Sequence, residues 1–178
     1  MSVKRPTVWS SDWFSIEAIE DDARTHGGQD PYFGIVAPDS VGIVPITPDG
    51  KFVFVRQFRP TIGRKTIELP AGIVDPIETP YQAAERELEE ETGMTSARLL
   101  PLGSGTLMAS RFSNRLTWYL ALEVVPSKVP ASPELEVIFM TTEDIRCRES
   151  DLIADQLLSL GMIALAKAKY PNDVPTVW

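Results

Sequence analysis

Over most of the first half of the chain, apolar and polar positions alternate with a period near two. The runs TVWSSDWFSIEAI (7–19), YFGIVAP (32–38), VGIVPIT (41–47) and KFVFVRQFR (51–59) are rich in Val, Ile and aromatic residues and are set apart by turn formers, which predicts antiparallel strands. Pro48-Asp49-Gly50 joins two of these runs. Proline presets one φ and glycine accepts a positive one, so a hairpin is predicted there. Residues 66–69 form a further short strand ended by Pro70, and Ala71-Gly72 opens a loop that runs through Asp75-Pro76. A helix follows, with Thr79 as N-cap, Pro80 at the first helical position and Gly93 as C-terminal stop. Residues 97–109 and 116–125 read as strands around a polar loop, and a proline-rich connector, PSKVPASPE, leads to a strand at 135–140. Thr141 opens a short helix. The last element, 150–169, carries helical apolar spacing through Leu152, Leu157, Leu160 and Ile163. Mixed strands with few helices predict an α+β fold or a sandwiched α/β/α arrangement.

Composition narrows the class without naming it. The chain has 178 residues, 43% of them hydrophobic, enough for one compact domain with a small N-terminal lobe. With Cys147 as the single cysteine there is no intramolecular disulfide framework, and MSVKRPTVWSSDWF lacks the apolar run of a signal peptide, so a cytoplasmic protein is predicted. No apolar stretch approaches the roughly 20 residues of a membrane span. A net charge of −8 argues against the basic footprint of a nucleic-acid binder. A small phosphorylated ligand remains open, because cations or a few arginines can hold an anion on an acidic protein.

The chemistry concentrates in ERELEEETG (85–93). On a wheel turning about 100° per residue, Tyr81, Ala84 and Leu88 fall on one buried stripe, with Gln82, Glu85 and Glu89 along one flank. Glu87, Glu90 and Glu91 gather on the other flank, since i, i+3 and i+4 are neighbours. Each like-charge pair costs about 0.2–0.5 kcal/mol in an exposed helix and more as water is excluded. Arg86 reaches Glu90 at i+4, but one arginine does not neutralise three acids. A hard divalent cation does, and carboxylates that share it with water and phosphate suit Mg²⁺. A solvated acidic face is the other reading of the helix taken alone.

The flanking residues separate these two. GIVDPIETPYQAAERELEEETGM (72–94) sets Gly72, five residues, Glu78, seven residues, then Arg86-Glu87-Leu88, Glu90-Glu91 and Gly93-Met94. This pattern resembles the complete Nudix box. The resemblance implies a loop-helix-loop on a mixed α/β/α sandwich, with divalent metal (Mg²⁺, or Mn²⁺ as a substitute) used to hydrolyse a diphosphate. It implies Glu87, Glu90 and Glu91 as metal ligands, Arg86 as the residue orienting them and Glu78 as a brace for the loop. Gly72 then permits close backbone approach, and the carbonyl of Ala71 is a further candidate ligand.

Upstream, VRQFRPTIGRKTIELPAG (55–72) resembles the subgroup acting on ADP-ribose and related nucleoside diphosphate sugars. That likeness implies AMP and ribose 5-phosphate as products from ADP-ribose, a homodimer, residues 1–38 as a strand lobe serving dimerisation, and 39–178 as the hydrolase domain. Candidate substrate contacts are Arg59, Arg56 and Glu68. Where relatives often carry a Pro-Gly loop with a glutamate, this chain has MASRFSNR (108–115), making Arg111 and Arg115 candidates as well. A general base comes either from the box or from the acidic loop SPELEV, which offers Glu134 and Glu136, and Glu134 is the candidate chosen. Two other readings stand beside hydrolysis of a nucleotide sugar: a non-hydrolysing sensor of such a ligand on the same scaffold, and a Nudix enzyme for other nucleoside diphosphate derivatives. His26, the single histidine, reads as solvated, Cys147 as a partly buried inert thiol, and Trp9, Trp13, Tyr32 and Phe33 as core or dimer contacts.

Overall fold

The computed structural model describes residues 4–20, 32–129 and 131–178, with the side chains of 149–156 left aside. His26 and the side chain of Leu152 therefore lie outside the described residues. The chain divides into two compact units, one formed by 1–40 and 104–116, the other by 41–103 and 117–178.

In the first unit, β1 (Thr7–Ser10), β2 (Ser15–Ile19) and β3 (Tyr32–Val36) make an antiparallel sheet in that order. The run 7–19 is two strands because Ser11 turns the chain: its hydroxyl accepts from the amides of Trp13 and Phe14 at 3.2 Å and donates to the Phe14 carbonyl. The arginine-bearing stretch docks on β3, with Ile35 N–H donating to the Arg111 carbonyl at 2.6 Å and Ser113 N–H to the Ile35 carbonyl at 3.1 Å. Trp9, Trp13 and Phe33 are exposed and so do not form a core within the chain.

The second unit is built on a seven-stranded sheet. It comprises β4 (Ser40–Ile46), β5 (Phe52–Arg59), β6 (Arg64–Glu68), β7 (Ala71–Ile73), β9 (Arg98–Gly105), β10 (Leu116–Leu122) and β12 (Glu136–Met140). The main path runs β12-β5-β4-β10-β9, with β6 added to β5 and β7 to β4. The predicted hairpin is present: Gly50 takes φ +79°, its N–H donates to the Thr47 carbonyl at 2.9 Å, and Ile46 pairs with Phe52. Two short strands, β8 (Met94–Thr95) and β11 (Val125–Pro126), pair with each other. Residues 71–73, expected as loop, are a strand. Nothing in their own pattern announces it, because their pairing comes from β4.

Helix α1 (Pro80–Thr92) begins in a capping box between Thr79 and Gln82, has proline at its start and ends at Gly93 with φ +66°. Ala83, Ala84 and Leu88 pack against Val41, Ile43, Val53, Tyr119 and Ala121, residues that share one sheet face by their period of two. Tyr81 departs from the expected stripe. It is 42% exposed and meets Tyr119 edge-on at 5.9 Å, while Ala83 fills the buried place. The alternate sheet positions Val44, Phe52, Phe54, Trp118 and Leu120 are buried too, so both faces are covered.

Helix α2 (Thr142–Cys147) is capped by Thr141 and Asp144, and α3 (Glu149–Lys169) buries Leu160, Ile163 and Ala166. Leu157, expected on that stripe, is 68% exposed. Ser159, 1% exposed, lies inward instead, its hydroxyl meeting the Leu69 amide at 3.4 Å. Cys147, expected partly buried, is exposed with its thiol 3.7 Å from Glu143. The buried position of this six-residue helix is Ile145, and Cys147 lies two residues further round its turn.

Candidate active site

Three pieces of backbone converge at one face of α1: β7, the loop that follows it, and the helix itself. Arg86 joins them. Its Nη1 donates to Glu87 at 2.7 Å and to Glu90 at 3.0 Å, while Nε and Nη2 grip both oxygens of Glu78 at 3.2 and 2.7 Å. Nη2 also donates to the Ile73 carbonyl at 2.9 Å, and Glu78 accepts the Asp75 amide at 2.8 Å. Guanidinium hydrogen bonds hold the Glu78 carboxyl below its ordinary pKa, and the Asp75 amide adds to this. A planar fork with five donors is what allows one side chain to bind three acids and a carbonyl together.

Glu87 sits against glycine. A Cβ placed on Gly72 would lie 2.0 Å from the Glu87 carboxyl carbon, so this carboxylate occupies space that any other residue at 72 would fill. Burial pushes the Glu87 pKa up, opposed by Arg86. Glu91 turns toward β7, where it accepts the Ala71 amide at 3.0 Å. Burial pushes its carboxyl up to about 7, the Ala71 bond and the charge of Arg59 oppose this, and Glu87 and Glu68 reinforce it. Glu90, 56% exposed at its side chain, faces solvent.

The remaining candidates are held in pairs. Arg59 grips Glu68 through Nε at 2.8 Å and Nη2 at 2.5 Å, and the buried Thr66 hydroxyl donates to the same carboxylate at 2.6 Å. Glu68 is 3% exposed, a burial made tolerable by those charge-assisted bonds. Arg56 donates to both oxygens of Glu136 at 3.0 Å, across the β5–β12 ladder where the two residues are directly opposite. Glu134 is exposed in the turn before β12. Arg111 and Arg115 belong to the other unit. Arg111 lies 4.3 Å over the Tyr32 ring and borders a cavity of about 200 Å³, and Arg115 donates to Ser104 at 2.5 Å. Thr66 was missed in the sequence, although its spacing of two from Glu68 on a strand was the available signal. The Ile73 carbonyl and the Asp75 amide carried none, because backbone groups have no sequence identity.

Residues 36–159 match the NUDIX domain profile. The chain belongs to the Nudix family. This Nudix chain is 35% identical over 102 residues to an ADP-ribose pyrophosphatase of Bacillus subtilis, with 55% of each chain covered. It is 31% identical over 153 residues to an ADP-sugar pyrophosphatase of Mus musculus, covering 77% of this chain and 70% of that one. The chain spans about half the length of the bacterial relative. A crystal structure of an ADP compounds hydrolase superposes with a TM-score of 0.81 over 97% of this chain and 96% of that one, at 23% identity, and establishes the Nudix fold.

The Nudix box supplies oxygen donors only, the chemistry of a hard cation. Glu91 fits a divalent ion in one further respect, since burial makes its charged form costly without a nearby positive charge. Among the described residues no three acid, histidine or cysteine side chains are placed together so as to hold a metal ion by themselves. Mg²⁺ does not need one, because it keeps several waters and takes one or two carboxylates together with substrate phosphates.

A pH dependence follows from Glu91. Its folded pKa stands above the ordinary 4.5, so the folded protein holds that proton more tightly than the unfolded chain does between pH 4.5 and about 7. Stability of the metal-free protein is therefore expected to fall through that window, by up to about 3 kcal/mol. Thermal melts in chelator at pH 5 and pH 8 measure it. Mg²⁺ should raise the melting temperature more at pH 8, and Glu91→Gln should flatten the profile. A chelated wild type that melts no lower at pH 8 than at pH 5 would contradict the assignment.

Proposed function

We propose that this chain is a Mg²⁺-dependent hydrolase that cleaves the diphosphate of ADP-ribose or a related nucleoside diphosphate sugar into a nucleoside monophosphate and a sugar phosphate. The observation that carries the proposal is the Arg86 cluster, which fastens Glu87 and Glu90 beside a glycine cradle. The names of the relatives support the substrate class. Bound magnesium supplies neutralisation of the diphosphate charge and acidity for the attacking water, and Mn²⁺ is expected to substitute.

Glu87, Glu90, Glu91 and the carbonyl of Ala71 would hold two or more cations between them, each ion taking one or two of the carboxylates. Arg86 keeps Glu87 and Glu90 in register through its two Nη1 bonds. Glu134 takes the proton from water as the new oxygen–phosphorus bond forms and the bond to the bridging oxygen breaks. Arg56 and Arg59 orient the anionic substrate, and Glu68 keeps the Arg59 fork in place. A cytoplasmic setting goes with this function.

The test is a panel of nucleoside diphosphate sugars incubated with the protein and Mg²⁺, with products resolved by chromatography. AMP and ribose 5-phosphate are expected from ADP-ribose. Absence of cleavage across the panel would sink the proposal, and tight calorimetric binding without cleavage would favour a sensor instead.

We further propose a homodimer formed through the first unit, where Trp9, Trp13 and Phe33 are 49%, 70% and 48% exposed. Exposed aromatic side chains on a small sheet and on the turn joining two of its strands are expected at an interface. Sedimentation should give twice the chain mass for wild type and a shift toward monomer for Trp13→Glu. A monomeric wild type at micromolar concentration would contradict it.

A further inference from the structure

The last turn of α1 leaves backbone carbonyls that the helix itself cannot satisfy. The first of them is met locally, by Gly93 N–H donating to the Glu89 carbonyl at 2.8 Å. The proline-rich connector supplies the next donors. Ser132 N–H donates to the Glu90 carbonyl at 2.8 Å, and Ser127 N–H donates to the Gly93 carbonyl at 2.8 Å. Gly93 leaves room for this contact, since a Cβ there would stand 2.8 Å from the Ala131 nitrogen and 3.2 Å from the Val129 carbonyl. The connector is also tied within itself. The Ser127 hydroxyl bonds both the carbonyl and the amide of Val129, and Leu135 N–H donates to the Ser132 carbonyl at 3.1 Å. Beyond the turn, Glu136 is fastened to Arg56.

Glu134 stands between these two anchors. It lies two residues after the amide that binds Glu90, so its backbone is within about 7 Å of Ser132 even if fully extended. We infer that the connector is a positioning clamp: the Ser132 amide on the Glu90 carbonyl, seated in the gap left by Gly93, holds Glu134 at a set distance from the helix that carries the metal-binding acids. The inference rests on the hydrolase reading above and assigns Ser132 a role through its backbone, with no part for its side chain. Helix and connector then move as one body, and the base does not have to be ordered anew in each turnover.

The test compares Ser132→Pro, which deletes the N–H, with Ser132→Ala, which keeps it, alone and combined with Glu134→Gln, using Mg²⁺ and ADP-ribose. Ser132→Ala should match wild type. Ser132→Pro should lower kcat roughly tenfold to 100-fold, the scale of a misplaced catalytic group, with KM and Mn²⁺ affinity little changed. Glu134→Gln should lower kcat about 100-fold or more, and adding Ser132→Pro to it should cost nothing further, because both act on one group. Wild-type kcat in Ser132→Pro, wild-type kcat in Glu134→Gln, or multiplying losses in the double variant would each overturn the clamp.

Hydrogen exchange on the unmodified protein gives a reading independent of catalysis. The Ser127 and Ser132 amides should be protected along with α1, and exchange at the rate of free loop would overturn the clamp even in an active enzyme. A wild type that cleaves no diphosphate would overturn the functional proposal, and protected amides in such a protein would show the contact without its catalytic purpose.

Discussion

Glu90→Gln is expected to reduce kcat/KM for ADP-ribose by at least about 1,000-fold, a loss near 4 kcal/mol of transition-state stabilisation. The substitution keeps shape and removes charge. A divalent cation facing an amide in place of a carboxylate would lose one charge–charge interaction with the helix surface. Stability should hardly move, because the side chain is 56% exposed and its bond to Arg86 is only one of several that the guanidinium makes. Removing one charge beside Glu87 also relieves a like-charge contact worth a few tenths of a kcal/mol. A normal melting temperature with collapsed turnover is the combination that separates a metal ligand from a surface acid. Steady-state kinetics and a thermal melt of the same preparation check it, and near-normal turnover would remove Glu90 from the metal site.

Gly72→Ala should cost more than 100-fold in activity through steric displacement. The new methyl would stand 2.0 Å from the Glu87 carboxyl, well inside contact distance. The carboxylate ends a flexible side chain, so it swings aside at a cost of about 1 kcal/mol, chiefly its partly exposed pairing with Arg86. The fold is retained and the ligand is misplaced. Misplacement of about 1 Å at a catalytic group already costs on the order of 100-fold. Mn²⁺ titration of this variant should show weakened binding alongside a melting temperature within a few degrees of wild type. Unchanged Mn²⁺ affinity would show that Glu87 does not need the place it occupies.

What could be read from the sequence was what local chemistry decides. Thr79, Pro80 and Gly93 mark the two ends of α1, and the i, i+3, i+4 spacing puts Glu87, Glu90 and Glu91 on one flank before any coordinates are known. The Pro48-Asp49-Gly50 hairpin was legible for the same reason. Tertiary partners decide the rest. Tyr81 and Leu157 obey helical periodicity and still face outward, because Ala83 and Ser159 take the inward places. Arg56 finds Glu136 80 residues away through strand register. The anchoring of the connector on α1 uses backbone amides at 127 and 132, which any sequence would provide and none would announce.

On this reading α1 carries a divalent cation with the diphosphate lying against it. Anomalous diffraction from a crystal soaked in Mn²⁺ with a non-hydrolysable ADP-ribose analogue decides the matter. The predicted result is manganese density within bonding distance of Glu87, Glu90 and Glu91 oxygens, sharing the diphosphate oxygens of the analogue. An ordered nucleotide with manganese bound elsewhere, or with none at these carboxylates, would contradict it.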